Sequence, residues 1–392
     1  MKALLIVLLA GMVGCAFVQP VSAADTVTFK EKVLWSFGGD DGADPSANVI
    51  EVKGTLYGTT SGGGGGVGCG TVFSFDPNTG TEAMLYAFDT DAASPEAGLI
   101  DVKGTLYGTT GGGGCEGQYG TVFAFDLNTG TETVLHRFAD GVYSLAGLIK
   151  VKGKLYGTTT GEGAGAVFSV DPTTGVENII YSFCSQPNCT DGKSPSASLI
   201  DVNGKLYGTT KKGGNNDAGT VFAISRKTGK EKVLYSFCSQ SNCTDGKSPS
   251  ANLIDVNGIL YGTTKYGGAS GQCSYGCGTV FSIDPSTSTE TVLHSFAITD
   301  GALPVAGLID VEGVLYGTTQ FGGSAAGGGA IFSIDPGTGT ETVLYAFCSQ
   351  AHCADGEYPL ASLINVNGKF YGTTLWGGAY GYGTVFVLKE KR

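Results

Sequence analysis

Histidine is scarce in this chain, with three in 392 residues, and tryptophan is scarcer, with only Trp35 and Trp376. No Ser–His–Asp set, phosphate-binding loop or His-Glu-x-x-His motif is present, so those local signatures of hydrolases, nucleotide binders and metalloproteases are excluded. Charge is sparse as well: 15% of residues are charged and the formal balance is −12. An acidic surface repels phosphate backbones, which argues against nucleic acid as a partner. Past the N-terminal segment no apolar run is long enough for a transmembrane helix. The chain closes on the charged Lys389-Glu390-Lys391-Arg392. No stretch shows the 3.6-residue period of an amphipathic helix.

What the chain has in excess is glycine, 66 residues, more than twice the ordinary share of ~7%. The glycines recur in step with β-branched and aromatic runs, which separates this chain from a disordered low-complexity tract. The phrase Leu-Tyr-Gly-Thr-Thr stands at Leu56–Thr60, Leu106–Thr110, Leu155–Thr159, Leu206–Thr210, Leu260–Thr264 and Leu315–Thr319, and a Phe-initial version at Phe370–Thr374. Its tyrosines are spaced 49 to 55 residues apart. Such a period means one supersecondary unit copied along the chain.

Residues 196–237 show the unit. Ser196–Val202 reads as a short apolar strand, Asn203-Gly204 as a hairpin turn, and Lys205–Thr210 as the strand bearing the marker phrase. A Gly-rich loop, Lys211–Gly219, leads to a third strand, Thr220–Ile224. Lys227-Thr-Gly229 then turns into a fourth, Lys232–Phe237. Elsewhere that turn reads Asp-Pro-x-Thr-Gly, as at Asp76–Gly80, with turn residues where turn chemistry wants them. Four antiparallel strands per ~50 residues predict an all-β, seven-bladed β-propeller. The glycine inside each marker strand predicts close backbone approach between elements. The chain opens with a fourth-strand phrase, Val33–Phe37, and ends with a third-strand phrase, Gly383–Leu388. A strand at about 31–37 should therefore complete the blade begun at about 359–388 and close the ring.

Residues 1–23 read as a signal peptide: Lys2, the apolar Ala3–Val13, and Val21-Ser22-Ala23 before a mature start at Ala24. Gly14-Cys15 offers the rival reading of a lipid-anchored N-terminus. Residues 24–392 then form one propeller domain, secreted, periplasmic or on the cell surface, and expected to be a monomer. The cysteines agree with export. Cys184/Cys189, Cys238/Cys243 and Cys348/Cys353 occupy the same place in their repeats and should each close a loop. Cys273 and Cys277 form a fourth pair. Cys69 and Cys115 each match one of those two positions, in repeats 1 and 2, which suggests a bridge between neighbouring repeats. Zinc is the poorer reading of these C-x4-C spacings.

The full pattern, Leu-Tyr-Gly-Thr-Thr-x-x-Gly-Gly followed by Gly-Thr-Val-Phe-Ser-Ile-Asp-Pro-x-Thr-Gly-x-Glu-x-Val-Leu-Tyr-Ser-Phe, resembles the GloVer tandem repeat of exported bacterial "choice-of-anchor" proteins. The resemblance covers nearly all of residues 31–389 and implies a surface or secreted repeat protein. Such proteins often carry a C-terminal sorting anchor, which the ending here does not match. The strand order also has a fainter likeness to kelch blades. A likeness to quinoprotein blades fails where their docking motif has tryptophan, so no cofactor is expected.

Loops joining the second and third strands should share a face with the blade-to-blade connections, and function is expected there. The loop Leu375–Tyr382 carries Trp376, Tyr380 and Tyr382 on a glycine frame; Tyr266, Tyr275, Phe321 and Tyr119 occupy related loops, and Tyr143 and Tyr358 lie in connections. Exposed aromatics suit stacking on sugar rings or partner side chains; the alternative is that they pack down between blades. Asp-Gly pairs precede most blades, at Asp41, Asp140, Asp191, Asp245, Asp300 and Asp355. They read as Asx turns or as a ring of cation-binding carboxylates. Only Asp40, Asp41 and Asp44 cluster as a candidate calcium site. The marker Tyr and Thr-Thr residues, identical in every repeat, read as structural. His136 and His294 replace the tyrosine of the fourth strand as packing variants, and His352 is the histidine free to face a ligand. The expected function is a binding module for a glycan or a cell-surface protein. The alternatives are a carbohydrate-active hydrolase or lyase, drawing on Asp41, Asp44, Glu96, Glu162, Asp217 or Glu357, and a structural envelope protein.

Overall fold

Each repeat folds into the antiparallel sheet that its pattern predicts, and the seven sheets form a β-propeller. The computed structural model describes residues 28–391 apart from residues 67, 90–91, 113–118, 140 and 162. The expected leader, Cys15, Cys115, Asp140 and Glu162 lie outside the described residues. Blade 4 comprises Ile200–Val202, Lys205–Lys212, Thr220–Ser225 and Glu231–Ser236, hydrogen-bonded in chain order. Its first strand is three residues long, shorter than the pattern suggested. The preceding residues turn away to join neighbouring blades instead: Ala197 O accepts from Thr158 Oγ1 at 3.1 Å, and Ser198 N donates to Asn252 Oδ1 at 2.6 Å.

The ring closes as the chain ends predict. Phe29–Ser36 lies antiparallel to Thr384–Glu390, with Phe29 opposite Glu390 and Ser36 opposite Thr384. The N-terminal strand is thus the outer strand of blade 7, and no blade is left with an unfinished edge.

Three repeated contacts explain the repeated residues. The phenylalanine ending each outer strand meets, edge to face, the third-strand phenylalanine of the next blade. Phe237 on Phe281 is typical, and Phe37 on Phe73 and Phe347 on Phe386 carry the contact through the closure, with centroids 4.9–5.1 Å apart around the ring. The marker glycine makes room for that third-strand ring: a Cβ on Gly208 would stand 2.7 Å from Cζ of Phe222, and 2.6–2.8 Å is found in every blade. The close approach at this glycine is therefore by an aromatic side chain, not by backbone as the sequence suggested. The first marker threonine donates to an alanine carbonyl in the next blade, as Thr209 does to Ala251 at 3.3 Å; Thr373 to Ala47 at 3.0 Å spans the closure.

Candidate ligand-binding face

Short antiparallel bridges fix one face. Ala43 pairs with Gly62, Ala93 with Gly112, Lys247 with Tyr266, Ala302 with Phe321, and Glu357 with Trp376. In each pair a blade connection meets the Gly-rich loop of the blade it enters, so both sets of loops share a face. The bridged loop residue is glycine in blades 1 and 2 and aromatic in blades 5, 6 and 7.

Those aromatics form a stripe. Phe321 contacts Tyr358 with centroids 4.8 Å apart, and Tyr358 contacts Trp376 at 5.3 Å. Tyr266 packs on Tyr275 at 6.0 Å. Between the two groups lies an apolar hollow of about 310 Å³, walled by Tyr266, Tyr275, Ile298, Leu303 and Phe321. Tyr266, Phe321 and Tyr358 are half-buried, whereas Trp376 is 47% exposed and Tyr275 68% exposed. The stripe thus packs inward at Tyr266, Phe321 and Tyr358 and is open to solvent at Trp376 and Tyr275. Lys265 Nζ stands 5.4 Å from the Tyr266 ring centre and Lys247 Nζ 5.2 Å from that of Tyr275. Tyr380 and Tyr382 are exposed but lie over Gly38 and Gly39, on the blade 1 side of their loop. Tyr119, in blade 2, is not brought into the stripe.

Among the described residues, the Asp-Gly carboxylates are occupied by their own connections and the strand before them. Asp191 is buried and accepts from Tyr181 Oη at 2.8 Å and from Ser185 N and Oγ at 2.9 Å each. Burial alone would raise its pKa; those hydrogen bonds outweigh it and hold the carboxyl below its usual range. Asp245 and Asp355 repeat the arrangement with Tyr235 and Tyr345. In the other connections the donor changes: Trp35 Nε1 reaches Asp41 at 2.9 Å, and His294 Nε2 lies 3.2 Å from Asp300. His294 keeps the tyrosine's edge-to-face packing, on Phe296, and is a polar partner as well; His136, packed on Phe138 and 3.6 Å from Glu177, is likewise. A β-bulge in each outer strand helps turn these side chains toward the connection. Asp41 also accepts from Gly38 N, while Asp44 sits against the Trp376 indole, so Asp40, Asp41 and Asp44 do not converge.

Beside each of these aspartates stands a glutamate from the next blade's outer strand. Burial, and then the aspartate's charge, push Glu31, Glu82, Glu231 and Glu290 up to about 7. Glu341 reaches about 7 as well, through burial, with His294 opposing and Asp300 adding. Sequence reasoning missed this ring of acid pairs, although the glutamate recurs in every fourth-strand phrase. Potential metal ligands gather among the described residues at His294, Asp300 and Glu341. Because Tyr or Trp takes the histidine's place at equivalent junctions, the trio reads as part of the structural network. A second group, Cys348, Cys353 and Glu357, offers no thiolate, since Cys348 and Cys353 form a disulfide. Disulfides also join Cys184 to Cys189, Cys238 to Cys243 and Cys273 to Cys277, and Cys69 is disulfide-bonded.

On the axis, the residues ahead of all the first strands line a narrow polar channel of about 110 Å³. Segments such as Ser46-Ala47-Asn48 and Ser250-Ala251-Asn252 converge there through a buried central alanine. Glu96 breaks the pattern as a carboxylate in the channel lining. Water reaches it, but protein on most sides raises its pKa, and the charge of Lys211 opposes that rise.

The structure is a closed propeller with repeated inter-blade contacts and blade-specific residues on its loop face. The chain belongs to the Gloeobacter/Verrucomicrobia repeat family, whose model matches residues 21–165 and 161–386. No curated protein matches the sequence. Among solved structures, an oligogalacturonate lyase in complex with manganese is similar at 13% identity, covering 94% of this chain and 95% of that one, with a TM-score of 0.59. The oligogalacturonate lyase of Vibrio parahaemolyticus is similar at 10% identity, 93% and 97% coverage and a TM-score of 0.58. BamB from Moraxella catarrhalis is similar at 14% identity, 92% and 98% coverage and a TM-score of 0.52. At these identities the likeness is one of fold.

Proposed function

We propose that this protein is an exported binding module that holds a glycan on the loop face of blades 5 to 7. The observation that carries the reading is the aromatic stripe. Three consecutive blades place Tyr266, Phe321 and Trp376 at one register, where half-buried Tyr266 and Phe321 wall an apolar hollow and Trp376 is exposed. Flat apolar faces edged by hydrogen-bonding groups suit the faces of sugar rings. Disulfide closure of the connections fits an oxidising compartment. Among the described residues no helix is long and apolar enough to cross a membrane. The test is retardation of the purified protein in native gels loaded with a panel of polysaccharides, with released sugars assayed in the same mixtures. Retardation without product, lost in Trp376→Ala, supports the binding module. Absence of retardation across the panel, with a protein partner captured instead, defeats it.

A second reading has one observation in its favour. Glu96 is an unrepeated carboxylate near the axis, with a raised pKa beside a lysine, as a glycan hydrolase or lyase could use. Released sugar that disappears in Glu96→Gln would establish it.

A further inference from the structure

The loop-face mouth of the channel carries charges that the repeat does not require. The residue directly after the marker phrase is uncharged in blades 1, 2, 3, 6 and 7 but is Lys211 in blade 4 and Lys265 in blade 5. Side chains at this register point into the mouth. A Cβ on Gly111, the blade 2 equivalent, would lie 3.5 Å from Leu145 Cδ2 and 3.9 Å from Glu96 Oε1, both channel-lining residues. The backbone of Lys265 is held in the same way: its N–H donates to Ser248 O at 3.2 Å, as that of Gly111 donates to Ser94 O at 2.9 Å. Lys211 takes the equivalent place opposite Ser194, between the pairs Lys193–Lys212 and Pro195–Thr210.

The electrostatics agree with this placement. Burial, followed by the charge of Lys265, lowers the pKa of Lys211, while Glu96 works the other way. Lys211 thus stands within reach of a second ammonium group, Lys265, and of one carboxylate, Glu96, so these three groups leave one positive charge at the mouth of a protein whose formal charge is −12. Lys265 also stands over Tyr266, so the mouth and the aromatic stripe are one continuous surface.

We propose that Lys211 and Lys265 form a carboxylate-binding subsite, and that the glycan on the stripe is an acidic chain containing uronic acid units. This inference rests on the glycan-binding reading. A single excess positive charge matches one monoanionic group held by charge-assisted hydrogen bonds. A phosphate monoester, with close to two negative charges, would be left facing Glu96 with charge in excess. Glu96 limits the mouth to one such group by like-charge repulsion.

The test is calorimetric titration with an oligogalacturonate and with the same chain methyl-esterified, which removes charge and keeps the sugar rings. A sulfated galactan oligosaccharide is the third probe. Lys265→Gln copies the Gln320 of blade 6, and Lys211→Ser copies the Ser61 of blade 1, so both variants use residues that the repeat already accepts. The acidic chain should bind at least about tenfold more tightly than its ester, as charge-assisted contacts imply. Each lysine variant should lose about that factor for the acid alone, and Glu96→Gln should tighten it. Equal binding of acid and ester overturns the subsite and leaves glycan binding standing. Equal lysine dependence for the sulfated chain overturns the choice of carboxylate. Absence of binding to any glycan removes the broader reading and this inference with it.

Discussion

Blades 1 and 2 and blades 5 to 7 share strands, marker phrases and inter-blade rings, yet their loop faces differ. The bridge that holds Gly62 and Gly112 in the first pair holds Tyr266, Phe321 and Trp376 in the second group. Backbone pairing is the same in both, so the aromatics are not needed to make the loop. Where every copy agrees, the residue maintains the ring; where copies with identical backbone disagree, the residue is free to serve a ligand. This separation is what places the candidate site.

The largest effect should come from removing what all blades share. Deleting residues 28–37 strips blade 7 of its outer strand and Phe73 of its partner Phe37. We expect loss of the single cooperative melting transition, whereas deleting Ser324–Gly327 from the blade 6 loop should leave it intact. A normal melt without the N-terminal strand contradicts the closed ring.

One substitution made in both kinds of position sharpens the comparison. Gly262→Ala puts a methyl 2.7 Å from the Phe281 ring and 2.8 Å from Leu253, and should cost about 1–3 kcal/mol in urea unfolding. Gly62→Ala meets nothing nearer than 3.5 Å and should stay within about 0.5 kcal/mol. Equal costs at the two glycines would show that the packing account is mistaken.

A smaller and graded effect should follow pH. The folded-state pKa values of Glu31, Glu82, Glu231, Glu290 and Glu341 lie near 7, above the 4.5 of an unfolded glutamate. The folded state therefore holds these protons more tightly. That stabilisation is complete below about pH 4.5 and is lost as pH rises through about 7. The lowered pKa of Asp191 acts in the opposite sense but in more acidic solution, below the ordinary 3.8. Partial solvent screening moderates each contribution. Melting temperatures should fall from pH 5 to pH 8, and Glu290→Gln should flatten the profile; a profile that rises over this range rules the account out.

The smallest effect should be at Tyr119. It shares the loop setting of the stripe but not its blades, so Tyr119→Ala should leave glycan affinity unchanged within a factor of about two, below ~0.5 kcal/mol. A loss comparable to that from Trp376→Ala would extend the site around the whole face.

Architecture was legible in the sequence because it is repeated. Seven copies of Tyr-Gly-Thr-Thr average out local ambiguity, and the split blade follows from which phrase stands at each end. Contacts between copies were not legible. That the phenylalanine ending one outer strand meets the third-strand phenylalanine of the next blade, or that fourth-strand glutamates meet the aspartates of the connection entering their blade, depends on how blades stack rather than on spacing within one. The site was half legible. Tyr266, Phe321 and Trp376 could be singled out as loop aromatics, but their common register shows only in the bridges, and Tyr380, Tyr382 and Tyr119 looked equivalent until placed. Lys211 and Lys265 were missed because a lysine on a polar loop carries no signal by itself. Comparing the residue after the marker phrase across all copies would have exposed them.

The central claim is that the face of blades 5 to 7 holds the ligand, and Trp376→Gly tests it most directly because it gives blade 7 the residue that blades 1 and 2 already have. Titration of this variant with the most strongly retarded glycan, alongside a melting curve, should show an unchanged fold and affinity reduced about tenfold or more, the ~1.4 kcal/mol or greater of a stacked aromatic. Full affinity in a normally folded Trp376→Gly protein would contradict the account.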